Sequence, residues 1–230
     1  MSEIVLALDF ADKDKAIALA RTVKQEINWI KIGLELFCSQ GPAIIYALKE
    51  LGFKIFLDLK FFDIPNTVKK TVKTILQAKV DMFTVHVLGG QEMLTSVVAI
   101  KNEIYPQAIA LGVTILTSFN QEDLFWSKMP INQLVFNLAQ IGHNSGLDGL
   151  VLSPLELKNI RAKFSRLVLV TPGIRLASKN QHDQKRIATP SFACKQGADY
   201  LVIGREITLA KEPLKIIAQI KNQISEVKNG

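Results

Sequence analysis

Short runs rich in aliphatic and β-branched residues alternate, from end to end, with segments whose apolar residues recur at three- and four-residue spacing. The runs are Ile4 to Asp9, Trp29 to Gly33, Lys54 to Leu59, Met82 to Val87, Ala108 to Leu116, Gly149 to Ser153, Leu167 to Thr171 and Tyr200 to Gly204. Between them, sets such as Ala16, Leu19, Ala20 and Val23, or Val68, Val72, Ile75 and Leu76, trace one face of a helix. A helix that returns the chain to the start of the next strand forces parallel pairing in a right-handed sense. Eight such units predict an α/β fold, the closed (β/α)8 TIM barrel.

A chain of 230 residues suits one such barrel, since these run as single domains of roughly 200 to 250 residues. No Gly/Ser/Pro-rich linker divides it, so residues 1–230 are expected to form a single domain. Two polar, weakly periodic stretches, Ser118 to Pro130 and Leu176 to Lys185, have the length and character of mobile active-site loops.

Charge and composition narrow the functional classes. The chain carries 28 basic and 21 acidic side chains, a net charge of +7 that favours anionic ligands. The lysines recur singly along helical segments (Lys13, Lys15, Lys24, Lys49, Lys69, Lys70, Lys73, Lys79), the pattern of solvated helix faces and not of a polynucleotide site. Every apolar stretch is broken by charge before the roughly 18 residues a membrane span needs, and Met1 to Asp9 leads directly into a strand, so neither membrane helix nor signal peptide is expected. Cys38 and Cys194 are expected as reduced core thiols of a cytoplasmic protein.

In such barrels the reactive groups gather at the carboxyl ends of the strands. Strand one ends in Asp9, strand two carries Lys31, and strand three runs through Asp58 and Lys60 to Asp63. Strand alternation places Asp58 and Lys60 on the inner face, with Leu57 and Leu59 on the other. Lys31, in the otherwise apolar run Trp29-Ile30-Lys31-Ile32, must reach solvent or find carboxylate partners. Ordinary ion pairing is the bland explanation; an alternating series at one barrel rim favours a functional one. Pro65 suits the first turn of the following helix, which leaves Asp63 on the loop.

Strand seven is followed by Thr171-Pro172-Gly173-Ile174-Arg175 and strand eight by Gly204-Arg205. Glycine permits close backbone approach and arginine offers a two-pronged match to phosphate oxygens, so adjacent strand ends of this type predict a phosphate corner. His86, His143 and His182 lack metal-ligand spacing, and no metal is assigned. His86 is expected as a hydrogen-bonded core histidine, and the pairs Phe61-Phe62 and Phe125-Trp126 as packing or loop anchors.

The segment Asp58-Leu59-Lys60-Phe61-Phe62-Asp63-Ile64-Pro65-Asn66-Thr67 resembles the signature of orotidine 5′-phosphate decarboxylases. Thr171 to Arg175 and Val202 to Arg205 resemble that family's phosphate-side motifs. The similarity extends through Leu8-Asp9, Lys31-Ile32-Gly33, Leu116-Thr117-Ser118 and Asp183-Gln184-Lys185-Arg186, and so covers nearly the whole chain. The resemblance implies a homodimer with a charged tetrad, Lys31, Asp58, Lys60 and Asp63, in which Asp63 and Thr67 reach the neighbouring subunit's site. It implies Asp9 and Lys31 at the ribose, Thr117 and Ser118 at the pyrimidine, and Pro172, Arg175, Gln184, Gly204 and Arg205 on the phosphate side, with Ile64, Pro65 and Asn66 completing the substrate-binding segment. Lys60 would be the proton donor, and no cofactor is implied. The chain departs from the family pattern at Phe62, where histidine is frequent, at His182, where glycine often stands, and at Glu206, where proline often stands.

Two rival readings share parts of this pattern. A magnesium-dependent sugar-phosphate enzyme of related fold, such as a 3-keto-gulonate-phosphate decarboxylase or hexulose-phosphate synthase, could share Asp-x-Lys-x-x-Asp. The Ile64-Pro65-Asn66-Thr67 continuation, the Leu116-Thr117-Ser118 step and the Asp183-Gln184 pair favour the nucleotide enzyme. A basic nucleic-acid-binding protein without turnover is opposed by the intact charged series.

Overall fold

The computed structural model describes residues 2–176 and 186–227. Strands β1 (Glu3–Ala7), β2 (Trp29–Ile32), β3 (Lys54–Phe61), β4 (Met82–His86), β5 (Ile109–Val113), β6 (Gly149–Val151), β7 (Val168–Thr171) and β8 (Tyr200–Ile203) pair in sequence order, all parallel, and β8 closes on β1. Around them lie α1 (Lys13–Val23), α2 (Leu34–Gln40), α3 (Ala43–Glu50), α4 (Pro65–Gln77), α5 (Gly90–Ile104), α6 (Ile131–Asn144), α7 (Leu157–Lys163), α8 (Pro190–Lys195), α9 (Arg205–Thr208) and α10 (Pro213–Glu226). This is the (β/α)8 barrel the strand and helix alternation predicts. Most observed strands end earlier than the apolar runs, β1 at Ala7 and β5 at Val113, which leaves Asp9 and Leu116 on the loops that follow, whereas β3 runs on past Leu59 to Phe61.

Side-chain alternation divides the core in two. Val5, Ala7, Trp29, Phe56, Met82, Leu111, Val170 and Val202 fill the barrel interior. Leu6, Ile30, Ile32, Ile55 and Leu57 point outward into the layer shared with the helices, where Val68, Val72, Ile75 and Leu76 of α4 meet them. Helix starts follow local chemistry: the Asp12 side chain accepts from the N–H groups of Asp14 and Lys15 to cap α1, and Pro65 opens α4 as its fixed φ favours.

The barrel floor shows a repeated device. The residue just before β4, β6 and β8 is an aspartate whose carboxylate accepts the N–H of the second residue in the preceding strand and pairs with a cation from the helix that leads into that strand. Asp81 takes Ile55 N and Lys49 Nζ at 2.8 and 2.9 Å. Asp148 takes Ala110 N and Lys101 Nζ at 2.8 and 3.0 Å. Asp199 takes Leu169 N and Arg161 Nη2 at 2.8 and 2.6 Å. The position before β2 holds Asn28.

Three packing expectations are corrected. Cys38 is exposed and Cys194 half-buried, both free, because Cys38 falls on the outer side of α2. Phe61 packs against the core as expected, but its neighbour Phe62 is 60% exposed with its ring against His86, and Phe125 is 93% exposed. The lysines of the helix faces are largely solvated, as expected. No helix among the described residues is long and apolar enough to cross a membrane.

Candidate active site

Four charged side chains from the ends of three strands form an alternating line at the carboxyl end of the barrel. Lys31 Nζ lies 3.1 Å from Asp9 Oδ1 and 3.6 Å from Asp58 Oδ2, and Asp58 Oδ1 lies 3.0 Å from Lys60 Nζ. The backbone of β3 makes this line possible. Its register against β4 shifts between Leu57 and Phe61, and Lys60 sits at φ 52°, a left-handed conformation few non-glycine residues adopt. The irregularity keeps Asp58 and Lys60 together on the cavity wall, where simple alternation also predicted them. Strain of this sort persists where surrounding bonds hold it. Here the buried Thr84 hydroxyl accepts the Lys60 N–H at 2.8 Å and donates to Asp58 Oδ1 at 3.0 Å.

A Cβ at Gly33 would stand 2.9 Å from Lys31 Nζ and 3.0 Å from Asp9 Oδ1, so a side chain there would push the two charged ends out of their present places. Burial disfavours the Lys31 ammonium, but the Asp58 and Asp9 carboxylates outweigh it and its pKa rises above the ordinary value. Burial likewise disfavours the Asp58 carboxylate, and the cations Lys31 and Lys60, with hydrogen bonds from Lys60 and Thr84, hold its pKa below the ordinary value. The Lys31 ammonium and the Asp58 carboxylate are therefore each held in the charged form.

This line forms one wall of a cavity of about 450 Å³. Thr117 and Ser118 stand on the β5–α6 side, and Pro172, Gly173, Arg175, Gly204 and Arg205 form the corner after β7 and β8. Gly173 takes φ 80°, which turns the chain sharply enough to bring Arg175 inward. Glu206, the first-turn acid of α9, takes the Leu176 N–H at 3.3 Å and lies 4.0 Å from Arg175 Nε. Its charge is thus directed at Arg175.

The structure brings Asp9, Lys31, Asp58, Lys60, Thr117, Ser118, Pro172, Arg175, Gly204 and Arg205 to one cavity. It leaves Asp63, Ile64, Pro65, Asn66 and Thr67 outside that cavity, at the start of α4, where all but the half-buried Pro65 are exposed. The Asp63 carboxylate accepts the Ile64 N–H. Gln184 and His182 lie outside the described residues. Half-buried His86 stacks on Phe62 at 5.5 Å, and its Nδ1 accepts the Leu88 N–H at 3.4 Å. Burial and the Lys60 charge push its pKa down, so it is neutral at pH 7. Thr84 is the residue that motif reading passed over; its signal was a hydroxyl in the apolar run of β4.

An alternating ammonium and carboxylate line sharing one cavity with a two-arginine corner, at the carboxyl end of a (β/α)8 barrel, is a site suited to a small anionic ligand. The sequence model of the orotidine 5′-phosphate decarboxylase / HUMPS family matches residues 2–220. The protein named orotidine 5′-phosphate decarboxylase in Lawsonia intracellularis is 44% identical over 228 residues, 97% of this chain and 100% of that one. Its namesake in Dictyoglomus turgidum is 44% identical over 236 residues, 97% of this chain and 96% of that one. The crystal structure of orotidine 5′-phosphate decarboxylase from Lactobacillus acidophilus matches with a TM-score of 0.82 at 32% identity, covering 97% of this chain and 99% of that one. The chain belongs to the orotidine 5′-phosphate decarboxylase / HUMPS family.

Proposed function

We propose that this protein decarboxylates orotidine 5′-monophosphate to UMP and carbon dioxide in cytoplasmic pyrimidine biosynthesis, with residues 1–230 as one catalytic domain. The observation that carries the reading is the line Asp9, Lys31, Asp58, Lys60 in one cavity with Arg175 and Arg205. The arginine corner suits the 5′-phosphate, with Gly204 and Pro172 shaping it and Gln184 assigned to the same group; Thr117 and Ser118 suit the pyrimidine edge.

Cleavage of the bond from C6 to the carboxylate leaves its electron pair on C6, in the ring plane, where the π system cannot take it up. Fixed charge aimed at that carbon is the effective means of lowering such a barrier. Lys60 Nζ supplies the positive charge, then gives its proton to C6 as carbon dioxide departs, and the amine regains a proton from water. Asp58 and Lys31 hold Lys60 in place, and Asp9 anchors Lys31 beside the ribose.

The site is read as shared between two copies of the chain. Asp63 and Thr67 stand outside their own cavity, beside Phe62 and Ile64, which are 60% and 67% exposed. A partner covering this surface would gain apolar burial and receive Asp63 near its Lys60, with Ile64, Pro65 and Asn66 at the joint. The test is the fall in ultraviolet absorbance as orotidine 5′-monophosphate is consumed with EDTA present. Turnover is expected, and Lys60→Ala should reduce it about a thousandfold or more while UMP still binds. A folded wild-type dimer without turnover would reject the assignment.

A further inference from the structure

Arg186 occupies the junction of three loops at the carboxyl end of the barrel. Its side chain is 11% exposed and pairs through Nη1 with Glu156 Oε1. Its other amino group, Nη2, donates to the Leu116 carbonyl at 3.0 Å and lies 3.5 Å from that of Ile115. Glu156 is buried in turn, and its second oxygen accepts the Ser153 N–H at 2.8 Å. Two residues beyond Arg186, Ala188 accepts the Arg175 N–H at 2.9 Å and donates to the Gly173 carbonyl at 3.0 Å. Arg186 and Arg175 therefore rise from one hydrogen-bonded base, while the guanidinium grips the backbone one residue before Thr117.

A buried guanidinium and carboxylate repay their desolvation only when both are bonded; here both Glu156 oxygens and both terminal amino groups of Arg186 have partners, while the buried Arg186 Nε has none among the described residues. The planar fork of arginine can hold two partners at a set angle, which the single ammonium of lysine cannot. Burial pushes the Arg186 pKa down to about 10, so it stays charged at neutral pH.

We infer that Arg186 is a positioning residue that locks the ring-side wall, Thr117 and Ser118, to the phosphate-side wall at Arg175, so that phosphate binding at one wall places the pyrimidine at the other. The inference rests on the substrate reading above. Arg186 touches no substrate; it acts through the Leu116 carbonyl and Glu156. Binding energy at the remote phosphate can lower the barrier at C6 only if the two walls move as one.

The experiment compares orotidine 5′-monophosphate with orotidine, the same ring without phosphate, in the wild type, Arg186→Met, Arg186→Lys and Glu156→Gln. The phosphate advantage is the ratio of kcat/KM for the two compounds. Arg186→Met should shrink that ratio by about tenfold to a hundredfold, chiefly through kcat on the nucleotide, and leave orotidine turnover within about threefold. Arg186→Lys and Glu156→Gln should shrink it less. A merely structural role would slow both compounds together, and equal losses or an unchanged ratio in a folded variant overturns the inference. Should Arg186→Met fail to give a cooperative thermal melt, Arg186→Lys decides by the same ratio. Wild-type protein that turns over neither compound removes the substrate reading and this inference with it; wild-type turnover with an unchanged ratio removes this inference alone.

Discussion

Asp58 stands between the two ammonium groups of Lys31 and Lys60, and this placement makes its ionisation a stability term as well as a catalytic one. Its pKa is held below the ordinary 3.8, so its contribution is present above that pH and is lost as pH falls through the lower native value. Lys31 works in the opposite sense: raised above 10.5, its contribution is present below that pH and lost as pH rises through the native value. Asp58→Asn is therefore expected to cost about 3 kcal/mol in urea melts between pH 5 and 9. That deficit should narrow as pH falls below about 4, where the unfolded chain takes up a proton that the native carboxylate still resists; a deficit constant down to pH 2 would contradict the depressed Asp58 carboxyl. Thr84→Val keeps the shape of the side chain and removes both hydrogen bonds, so kcat should fall about tenfold with a stability loss near 1 kcal/mol. Steady-state kinetics beside a thermal melt separates the two effects.

At the scale of elements, β3 and the aspartate-started strands show how different stretches of backbone are held. The β3 bulge breaks the ladder with β4 where function needs two charges on one wall, and Thr84 replaces the missing backbone partner of Lys60. The floor aspartates instead stitch even-numbered strands to their odd-numbered predecessors. Asp148→Ala leaves the buried Lys101 ammonium, 5% exposed, without its carboxylate and should cost about 3 kcal/mol, read from urea midpoints. Asn28 stands where the fourth aspartate would, and the Lys24 ammonium is held nearby on the Gly52 carbonyl at 2.7 Å. Asn28→Asp should complete the set, accepting the Ile4 N–H and raising Tm by about 2 °C. A fall in Tm would show that the four quarters of the floor are not equivalent. The pattern was open to reading in Val80-Asp81-Met82, Leu147-Asp148-Gly149 and Ala198-Asp199-Tyr200, but only the barrel shows what each carboxylate grips.

For the whole molecule, the shared-site reading makes a quantitative prediction. Lys60→Ala and Asp63→Ala should each be nearly inactive alone, because each homodimer lacks one group at both sites. After mixing and subunit exchange, half the dimers are hybrids with one intact site, so activity should return to about a quarter of the wild-type value. No recovery from chains that sedimentation shows to have exchanged would place Asp63 outside the partner's site. The alternation of apolar runs was enough to specify an eight-unit barrel, because strand and helix periods are local properties of the chain. The same locality made Asp9, Lys31, Asp58, Lys60, Arg175 and Arg205 legible, since barrel topology sends every strand end to one face. The exposure of Phe62, Phe125 and Cys38 is not legible in the sequence, because a residue's cover is supplied by distant parts of the chain, which no local pattern records. For the same reason, the Thr84 relay across β3 and β4 and the Arg186 grip on Glu156 and Leu116 were decided by tertiary structure alone: their partners lie 24 to 70 residues away in sequence, and only closing the barrel brings them within hydrogen-bond reach.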